Sequence, residues 1–544
     1  PLPLPDKPSI VVLPFDNMSK DPEQDYFSNG ITEVLTSDLS RISNLFVIAR
    51  NTAFTYKGKA VNVQDVGKEL GVRYVLEGSV QKANDQVRIV VQLINATTGG
   101  HLWSQRYDRP LKDIFALQDE IVQKIVTTLN LQLSLQEQGV IVRKRTDSLE
   151  AYDTFLRGAD YFYRFTKEGH AQARPLFEKA IELDPRYAEA YGYLGWTYVA
   201  AWAAQWNADP QNLQRAFDLE QKALALDDAL PRAHATLSFV YRFQAKYEPA
   251  VAAAERAIAL DPNDAESYLA LAGVFNIFGE RTTEAIELIE KAMRLNPRYP
   301  FLYPFHLGFA YSLTGRYAEA IAAQKQALLR NPNWLFSYIE LVVNYRSQWS
   351  SQLSHDPQTL DRASEAAQRM VALDASSPLS HLLLSKAYLW EKQYEQSSAE
   401  AERVLTLNPS RGDIYPVLAY ILSFLGRPEE ALGLVEKALR LNLRLPPRNL
   451  VQLGHTYYLA GQTEEAIVAL KKSLNGSLAD LDAHLLLAAV YSELGRDVEA
   501  QAEAAEVRRI NPKWSLEVWK QRVPYKDPAM LERVFAALRK SGLK

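Results

Sequence analysis

The chain has 544 residues, 47% hydrophobic and 23% charged, with a net charge of −4. That length exceeds one ordinary core, so several domains or a repeat array are expected. The near-neutral balance argues against a polyanion or membrane-surface binder. The absence of cysteine removes disulfides, thiolate metal sites and cysteine nucleophiles.

The opening Pro1-Leu2-Pro3-Leu4-Pro5 carries no basic or apolar leader and reads as a polyproline-type linker over residues 1–8. The chain is therefore expected to be part of something longer. No apolar run approaches the roughly 20 residues that span a bilayer, so no membrane insertion is expected.

Residues 9–135 read as a compact α/β domain. Ser9–Phe15 is a short β-branched run, a buried strand. Tyr26–Ile42 has helical spacing through Phe27, Ile31, Val34, Leu35 and Leu39. Phe46–Arg50 is a second buried strand, and Val63–Leu70 is a helix stopped by Gly71. Three strands follow, Tyr74–Gln81, Val87–Ile94 and His101–Tyr107, joined at Ala83-Asn84-Asp85 and Thr97-Thr98-Gly99-Gly100. Ile114–Leu133 is a long amphipathic helix. The order is βαβαβββα.

A connector over 136–150 leads to a different pattern. Leu237 and Tyr241 recur 34 residues later as Leu271 and Phe275, and similar pairs follow at Leu307/Tyr311, Leu341/Tyr345, Leu453/Tyr457 and Leu487/Tyr491. Alanines follow at 250, 285, 320, 431, 466 and 500. Asp-Pro or Asn-Pro steps close units at Pro185, Pro262, Pro297, Pro332, Pro409 and Pro512. Large apolar residues early, alanines later and a terminal proline form the tetratricopeptide pattern.

About ten units are expected over 151–514, beginning near Ala151, Ala188, Pro231, Ala265, Phe301, Leu335, Pro378, Gly412, Pro447 and Leu481. Insertions interrupt two of them, at Ala201–Pro210 and Ser347–Pro357. Each unit buries too little alone, so stability comes from stacking into a right-handed superhelix. Tyr241 is expected to be an aromatic knob between helices. Residues 515–544 read as a cap on the last unit.

The segments KPSIVVLPFDNMSKDPEQDYFSNGITEVLTSDLSRI, FVIARNTAFTYKGKA, LGVRYVLEGSVQKANDQVRIVVQLINATTGGHLWSQRYDR and IFALQDEI resemble the TolB-amino-terminal-like (FlgO-like) domain. In many bacterial proteins that domain precedes tetratricopeptide repeats. Its bearers include class III adenylate/guanylate cyclases, winged-helix transcription regulators and some protein kinases. The PLPLPDKPSI lead-in and the ending around Pro524-Tyr525-Lys526-Asp527-Pro528 most resemble the cyclase version. The resemblance implies a regulatory part. A class III cyclase needs metal-binding aspartates and base-selecting residues on a ferredoxin-like domain, and residues 1–8 cannot hold one.

No phosphate-binding loop, dinucleotide fingerprint, H-E-x-x-H or nucleophile elbow occurs. Asp16, Asp21, Glu23 and Asp25 follow the first strand and read either as a polar-ligand loop or, the favoured reading, as turn and capping residues. Arg50-Asn51-Thr52 with Tyr56-Lys57-Gly58-Lys59 suits an anion or a solvated loop. Asn95-Ala96-Thr97 and Asn475-Gly476-Ser477 match the glycosylation acceptor by chance. His234, His381 and His484 share one repeat position, where a structural role is favoured over metal ligation. No metal or cofactor is expected.

Concave positions of the first helix of each unit map to Trp196, Arg232, Phe239, Arg242, Phe305, Phe309, Ile339 and Arg346. Large apolar side chains with scattered arginines suit a protein segment or peptide of some acidic character, or simply pack the superhelix. The lysine/asparagine carboxylate clamp is not apparent: Leu382 and Lys386 stand at its positions in one unit. The expectation is a non-catalytic regulatory region that binds protein or peptide, with no nucleic-acid partner, and tunes an attached output domain, a class III nucleotide cyclase. The alternatives are the sensor region of a winged-helix transcription regulator and a free-standing cell-envelope scaffold. The cyclase and winged-helix readings place the chain in the cytoplasm; a secretory signal on the parent places it in the envelope.

Overall fold

The computed structural model describes residues 2–19, 21–141, 145–203, 206, 209, 211–407, 412, 414–440, 447–475 and 480–544. Pro409, Gly476-Ser477, and parts of the 136–150 connector and of the Ala201–Pro210 insertion lie outside the described residues. The chain divides into two compact units, Pro1–Val274 with Leu288–Tyr299, and Phe275–Glu287 with Pro300–Lys544.

The first unit opens with a mixed sheet. Strands β1 (Ser9–Val12), β2 (Asp16–Asn17), β3 (Phe46–Val47), β4 (Tyr74–Ala83), β5 (Gln86–Asn95) and β6 (His101–Pro110) take the order β3-β1-β4-β5-β6, with β2 paired to β4. β1 runs parallel to β3 and β4, with Ile10 opposite Val47 and Tyr74. β4, β5 and β6 form an antiparallel meander. The crossovers are α1 (Asp25–Ser40), α2 (Arg50–Ala53) and α3 (Val63–Leu70); α4 (Ile114–Thr128) follows the meander.

Period-two alternation puts Ile10, Val12, Leu76, Val80, Ile89 and Val91 on one face. They share a core with Ile31, Leu35 and Leu39 of α1 and Ile121 and Ile125 of α4. Gly71 ends α3 at φ 63° with its amide returned to Gly67, the left-handed cap the sequence predicts. Three expected elements shorten, among them the Ser9–Phe15 strand, which runs only over Ser9–Val12. FVIAR is a strand only over Phe46–Val47, because Arg50 begins α2, and the Ile114 helix stops at Thr128. Asn130, at φ 51°, turns the chain there.

After α5 (Leu135–Ile141) the rest is helix pairs. The first unit holds α6 (Leu149–Phe162) with α7 (Lys167–Leu183), α8 (Ala188–Ala203) with α9 (Asn212–Leu226), and α10 (Pro231–Phe243) with α11 (Tyr247–Leu260). The fourth pair, α12 (Ala265–Phe278) and α13 (Thr282–Leu295), contributes residues to both units. The second unit continues with α14 (Leu302–Leu313) and α15 (Tyr317–Arg330), α16 (Leu335–Ser350) and α17 (Thr359–Leu373), and α18 (Pro378–Trp390) and α19 (Tyr394–Thr406). Then come α20 (Ile414–Phe424) and α21 (Pro428–Arg440), α22 (Pro447–Leu459) and α23 (Thr463–Leu474), and α24 (Leu481–Glu493) and α25 (Asp497–Ile510). Helices α26 (Leu516–Arg522) and α27 (Pro528–Lys540) close the chain.

The repeat logic is visible at each level. Ala250, Ala285, Ala320, Ala431, Ala466 and Ala500 are sealed, so neighbouring backbones approach closely. The aromatic or histidine early in the first helix of a pair ties down the preceding turn. Tyr191, Tyr268 and Tyr338 donate their hydroxyls to the carbonyls of Pro185, Pro262 and Pro332 at 3.2, 2.9 and 2.9 Å. His234 and His381 bond Asp228 and Ala375 the same way, both at 2.9 Å. His381 and His484 also pair with Glu400 and Glu503, each 19 residues on, at 2.5 and 2.6 Å. Tyr241 departs from expectation: it is half-buried against Phe217, whereas Phe275 and Tyr491 at the same position are sealed.

Candidate functional site

In the first unit the α/β domain lies on the first-helix face of the repeats. Tyr26, Asn29 and Glu33 recur on one face of α1 at helical spacing. They meet an equivalent row on and just beyond α6. Tyr26 donates to Asp153 at 2.6 Å, Asn29 to Asp160 at 2.8 Å, and Glu33 accepts from Tyr163 at 2.5 Å. Lys82 adds an ion pair to Asp153 at 2.7 Å. Gly30 permits this approach, since a Cβ there would stand 2.7 Å from the Leu156 side chain. Arg145 is held by Asp38 at 2.5 Å and Glu189 at 3.2 Å; burial opposes its charge, but these two carboxylates outweigh it.

Arg232 enters the same network. Its guanidinium donates to Tyr163 at 3.2 Å and stacks on Tyr193 at 4.4 Å. Burial opposes the cation, yet the Tyr193 and Tyr163 hydroxyls, Asp264 and Glu33 hold its pKa above the usual range. Arg50 is not solvated either: it pairs with Glu33 at 2.7 Å and lies over the Phe54 and Tyr163 rings at 3.6 and 3.8 Å.

The turns that close the third and fourth pairs grip the domain from residue 40 to residue 56. Asn263 donates to the carbonyls of Ser40 at 2.7 Å, Leu45 at 2.9 Å and Ile42 at 3.3 Å, and accepts from the Val47 amide at 3.3 Å. Asp261 accepts from the Ser40 hydroxyl at 2.6 Å. Burial and the neighbouring Asp264 push the Asp261 carboxyl well above the ordinary carboxylate range. Ala49 donates to Leu295 at 2.8 Å, and Thr52 to Asn296 at 2.7 Å. Arg298 bonds Glu69 at 2.5 Å and Tyr56 at 3.3 Å, while Arg294 caps the carbonyls of Leu70 and Gly71, both at 3.0 Å. Asn296 stands in the periodic Asn-Pro step, nothing periodic marks Asn263, and the contacts of both escape sequence reading.

Trp196, Phe239 and Arg242 form a separate cluster on α8 and α10. Trp196 meets Phe239 at 6.1 Å, and Trp202 meets Phe243 at 4.4 Å. Arg242 lies over Phe239 and Phe243 at 4.5 and 4.9 Å.

In the second unit, Phe305 packs with Phe309, Trp334 and Phe336 at 6.5, 5.8 and 6.4 Å, and Ile339 is half-buried beside them in chain order. Arg346 pairs with Asp482, 136 residues away, and stacks on Trp390 at 5.6 Å. Burial works against the Arg346 cation, but Asp482 raises its pKa overall. The C-terminal segment is more than a terminal cap, because it reaches back to the sixth pair. Arg522 lies over Trp349 at 3.9 Å and donates to the carbonyls of Trp349 and Ser354 at 2.8 and 3.0 Å. Gln352 exchanges two bonds with Ser515, and Asn511 donates to Ser351 at 2.8 Å. Tyr525 packs on Phe424 at 4.6 Å and hydrogen-bonds His455 at 3.1 Å; burial draws the His455 pKa down to about 3, so it is neutral.

The acidic loop is internally satisfied. Asn17 donates to the Asp21 carbonyl at 3.0 Å and to Asp25 at 2.8 Å, and Asp21 caps the Glu23 amide at 2.9 Å. Asp25 pairs with Lys57 at 3.0 Å; burial raises its pKa, but the bonds from Asn17 and Lys57 bring it below the usual range. Asp16 sits exposed on β2. A cavity of about 300 Å³ opens elsewhere, among Asp38, Phe115, Asp119 and Arg145. Among the described residues no group of histidines and carboxylates is arranged to hold a metal ion, and no helix is long and apolar enough to cross a membrane.

Tetratricopeptide repeat models match residues 176–207, 231–264, 305–333 and 457–521. The chain carries tetratricopeptide repeats. It is 46% identical over 248 residues to a protein of Rhizobium meliloti named "Putative adenylate cyclase 3", covering 45% of this chain and 42% of that protein. It is 22% identical over 292 residues to "Superkiller protein 3" of Schizosaccharomyces pombe, covering 52% of this chain and 20% of that one. The chain thus spans less than half of either curated relative it matches. Among solved structures it is similar in fold to the human IFIT1 dimer with PPP-AAAA, with TM-score 0.42 and 15% identity over 74% of this chain and 89% of that one. It is similar also to the Cut9–Hcn1 hetero-tetramer of APC/C, with TM-score 0.39 and 14% identity over 79% and 86% of the two chains.

Proposed function

We propose that this chain is a non-catalytic regulatory and protein-interaction region that tunes a class III nucleotide cyclase joined to it, in the cytoplasm where the nucleotide substrate is. The observation that carries the reading is the 46% identity to the Rhizobium meliloti protein bearing an adenylate cyclase name. The tetratricopeptide repeats support an interaction role, because such arrays expose extended faces to protein segments. The α/β domain, which we assign to the TolB-amino-terminal-like family on its residues, would be the part that relays the state of the repeats. Its clasp supports that role. Arg145, Glu33, Asn263 and Thr52 tie the sheet's crossovers to four successive helix pairs, so a partner that shifts the repeats strains the domain.

The test compares cyclic-nucleotide production by the full parent protein with the same protein truncated before Pro1. A several-fold change in turnover, with none from residues 1–544 alone given ATP or GTP and Mn²⁺, is the expected outcome. Equal turnover with and without the region, or turnover by the region alone, contradicts the reading.

A further inference from the structure

Three arginines stand on the first-helix face at positions suited to an anionic partner, and the fold treats them differently. Arg232 is bonded to Tyr163 and stacked on Tyr193, and Arg346 is paired with Asp482, although its Nε too is sealed without an acceptor. Arg242 is only 7% exposed, yet its guanidinium has no hydrogen-bond or ion-pair partner among the described residues. Its Nε is sealed from solvent without an acceptor. Desolvation with no compensating carboxylate pushes its pKa down to about 10.

A buried charge is ordinarily paired, because taking an ion out of water costs several kcal/mol that only an opposite charge or good hydrogen bonds offset. The Phe239 and Phe243 rings offset part of it through their faces. Neither ring supplies an acceptor for the N–H edge. Trp196 and Trp202 pack against these two rings, and Phe243 is still 39% exposed. A desolvated cation framed by accessible rings matches one chemistry, a carboxylate flanked by apolar side chains. Guanidinium binds carboxylate through two parallel hydrogen bonds, and the rings take the neighbouring side chains.

We propose that Arg242 is the anion receptor of the repeat face, and that Trp196, Trp202, Phe239 and Phe243 seat the apolar residues beside a partner peptide's carboxylate. The proposal rests on the interaction role argued above and names the partner's chemistry.

The test uses the full chain and fluorine NMR of the peptide acetyl-(para-fluorophenylalanyl)-glutamyl-leucine amide. Its controls are the glutaminyl analogue as an amide, which lacks a carboxylate, and the glutaminyl analogue with a free C-terminus, which carries it at the chain end. The expected result is binding of the glutamyl peptide at least about tenfold tighter than the glutaminyl amide, the worth of a charge-assisted hydrogen bond. That preference disappears in Arg242→Met. The free-terminus arm assigns the carboxylate to a side chain or to a chain end.

A second reading keeps the test independent of folding. Because the cation is unpaired, Arg242→Met melts no lower than the wild type. Equal binding of the glutamyl peptide and the glutaminyl amide, no binding of any peptide, a preference that survives Arg242→Met, or a lower Tm for that variant each overturns the proposal. None of these outcomes touches the regulatory reading, which the cyclase comparison tests separately.

Discussion

The two units fill their own repeat faces by different balances of polar and ring contacts. In the first, the α/β domain is held by directional polar contacts: Asn263 inside the loop at 40–47, Asp261 on Ser40, Thr52 on Asn296, and Glu33 among tyrosines. In the second, residues 511–525 combine hydrogen bonds from Asn511, Ser515 and Arg522 with rings, Tyr525, Trp519, Phe424 and His455 packed together and Arg522 on Trp349. A polar clasp fixes one geometry and responds to protonation, because each buried group without its partner is expensive. A ring cluster tolerates small shifts and depends on area. The difference teaches what each depends on: the clasp of the first unit rests on the protonation of buried Asp261, and the ring cluster of the second on enclosed area.

The largest expected effect breaks the apolar side of this comparison. Tyr525→Ala removes a buried ring and should cost the second unit about 3–5 kcal/mol, read by chemical denaturation. Limited proteolysis should then nick near Val523 while the first unit stays intact. On the polar side, Asn263→Ala strips the donor from three carbonyls and should cost about 2–4 kcal/mol. Its signature is local: faster amide exchange over 45–49, with the helix pairs of the second unit unchanged.

The pH dependence sharpens the contrast further. Asp261 has a folded pKa above its unfolded value, so its contribution is complete below the unfolded value of about 4 and is lost as pH rises through the folded one. The groups facing it are Asp264, which raises the shift, and Arg41, which lowers it, with Ser40 and Asn263 bonding the carboxylate. Exchange at Val47 and Ala49 should therefore quicken between about pH 5 and about pH 8 beyond the intrinsic base catalysis, and Asp261→Asn should abolish that excess. His455 in the second unit's ring cluster should contribute no such excess, since burial keeps it neutral throughout that range.

The smallest effect lies in the turns. Ala245 holds φ 57° between α10 and α11, where other pairs place Gly315, Gly426, Gly461 and Gly495 at φ 71–81°. Ala245→Gly should raise stability by about 0.5–1 kcal/mol in thermal melts, because a Cβ is disfavoured in the left-handed region.

Much of the fold was legible, and for a local reason. Alternation in Val87–Ile94, the Gly71 cap, and the spacing of Leu and Tyr against Ala describe contacts within one element or one pair. The long pairings were not. Arg346 and Asp482 stand 136 residues apart, and Asn263 reaches Ser40 across 223. No period connects such partners, and an arginine on a helix face looks the same whether it is paired, stacked or free. That is why Arg232, Arg242 and Arg346 read alike in sequence and differ in structure. The loop of Asp16, Asp21, Glu23 and Asp25 shows the same limit in reverse. Its capping role was readable, and the Asn17 and Lys57 bonds that complete it were not.

The clasp between the α/β domain and its repeats is read most directly by hydrogen–deuterium exchange of the intact chain at about pH 5, where Asp261 is protonated. The Val47 amide, bonded to the Asn263 side chain, and the Ala49 amide, bonded to the Leu295 carbonyl, should exchange as slowly as the core amides of β4 and β5, and Asn263→Ala should release both. Fast exchange at Val47 and Ala49 in the unaltered chain, with β4 and β5 still protected, would contradict it.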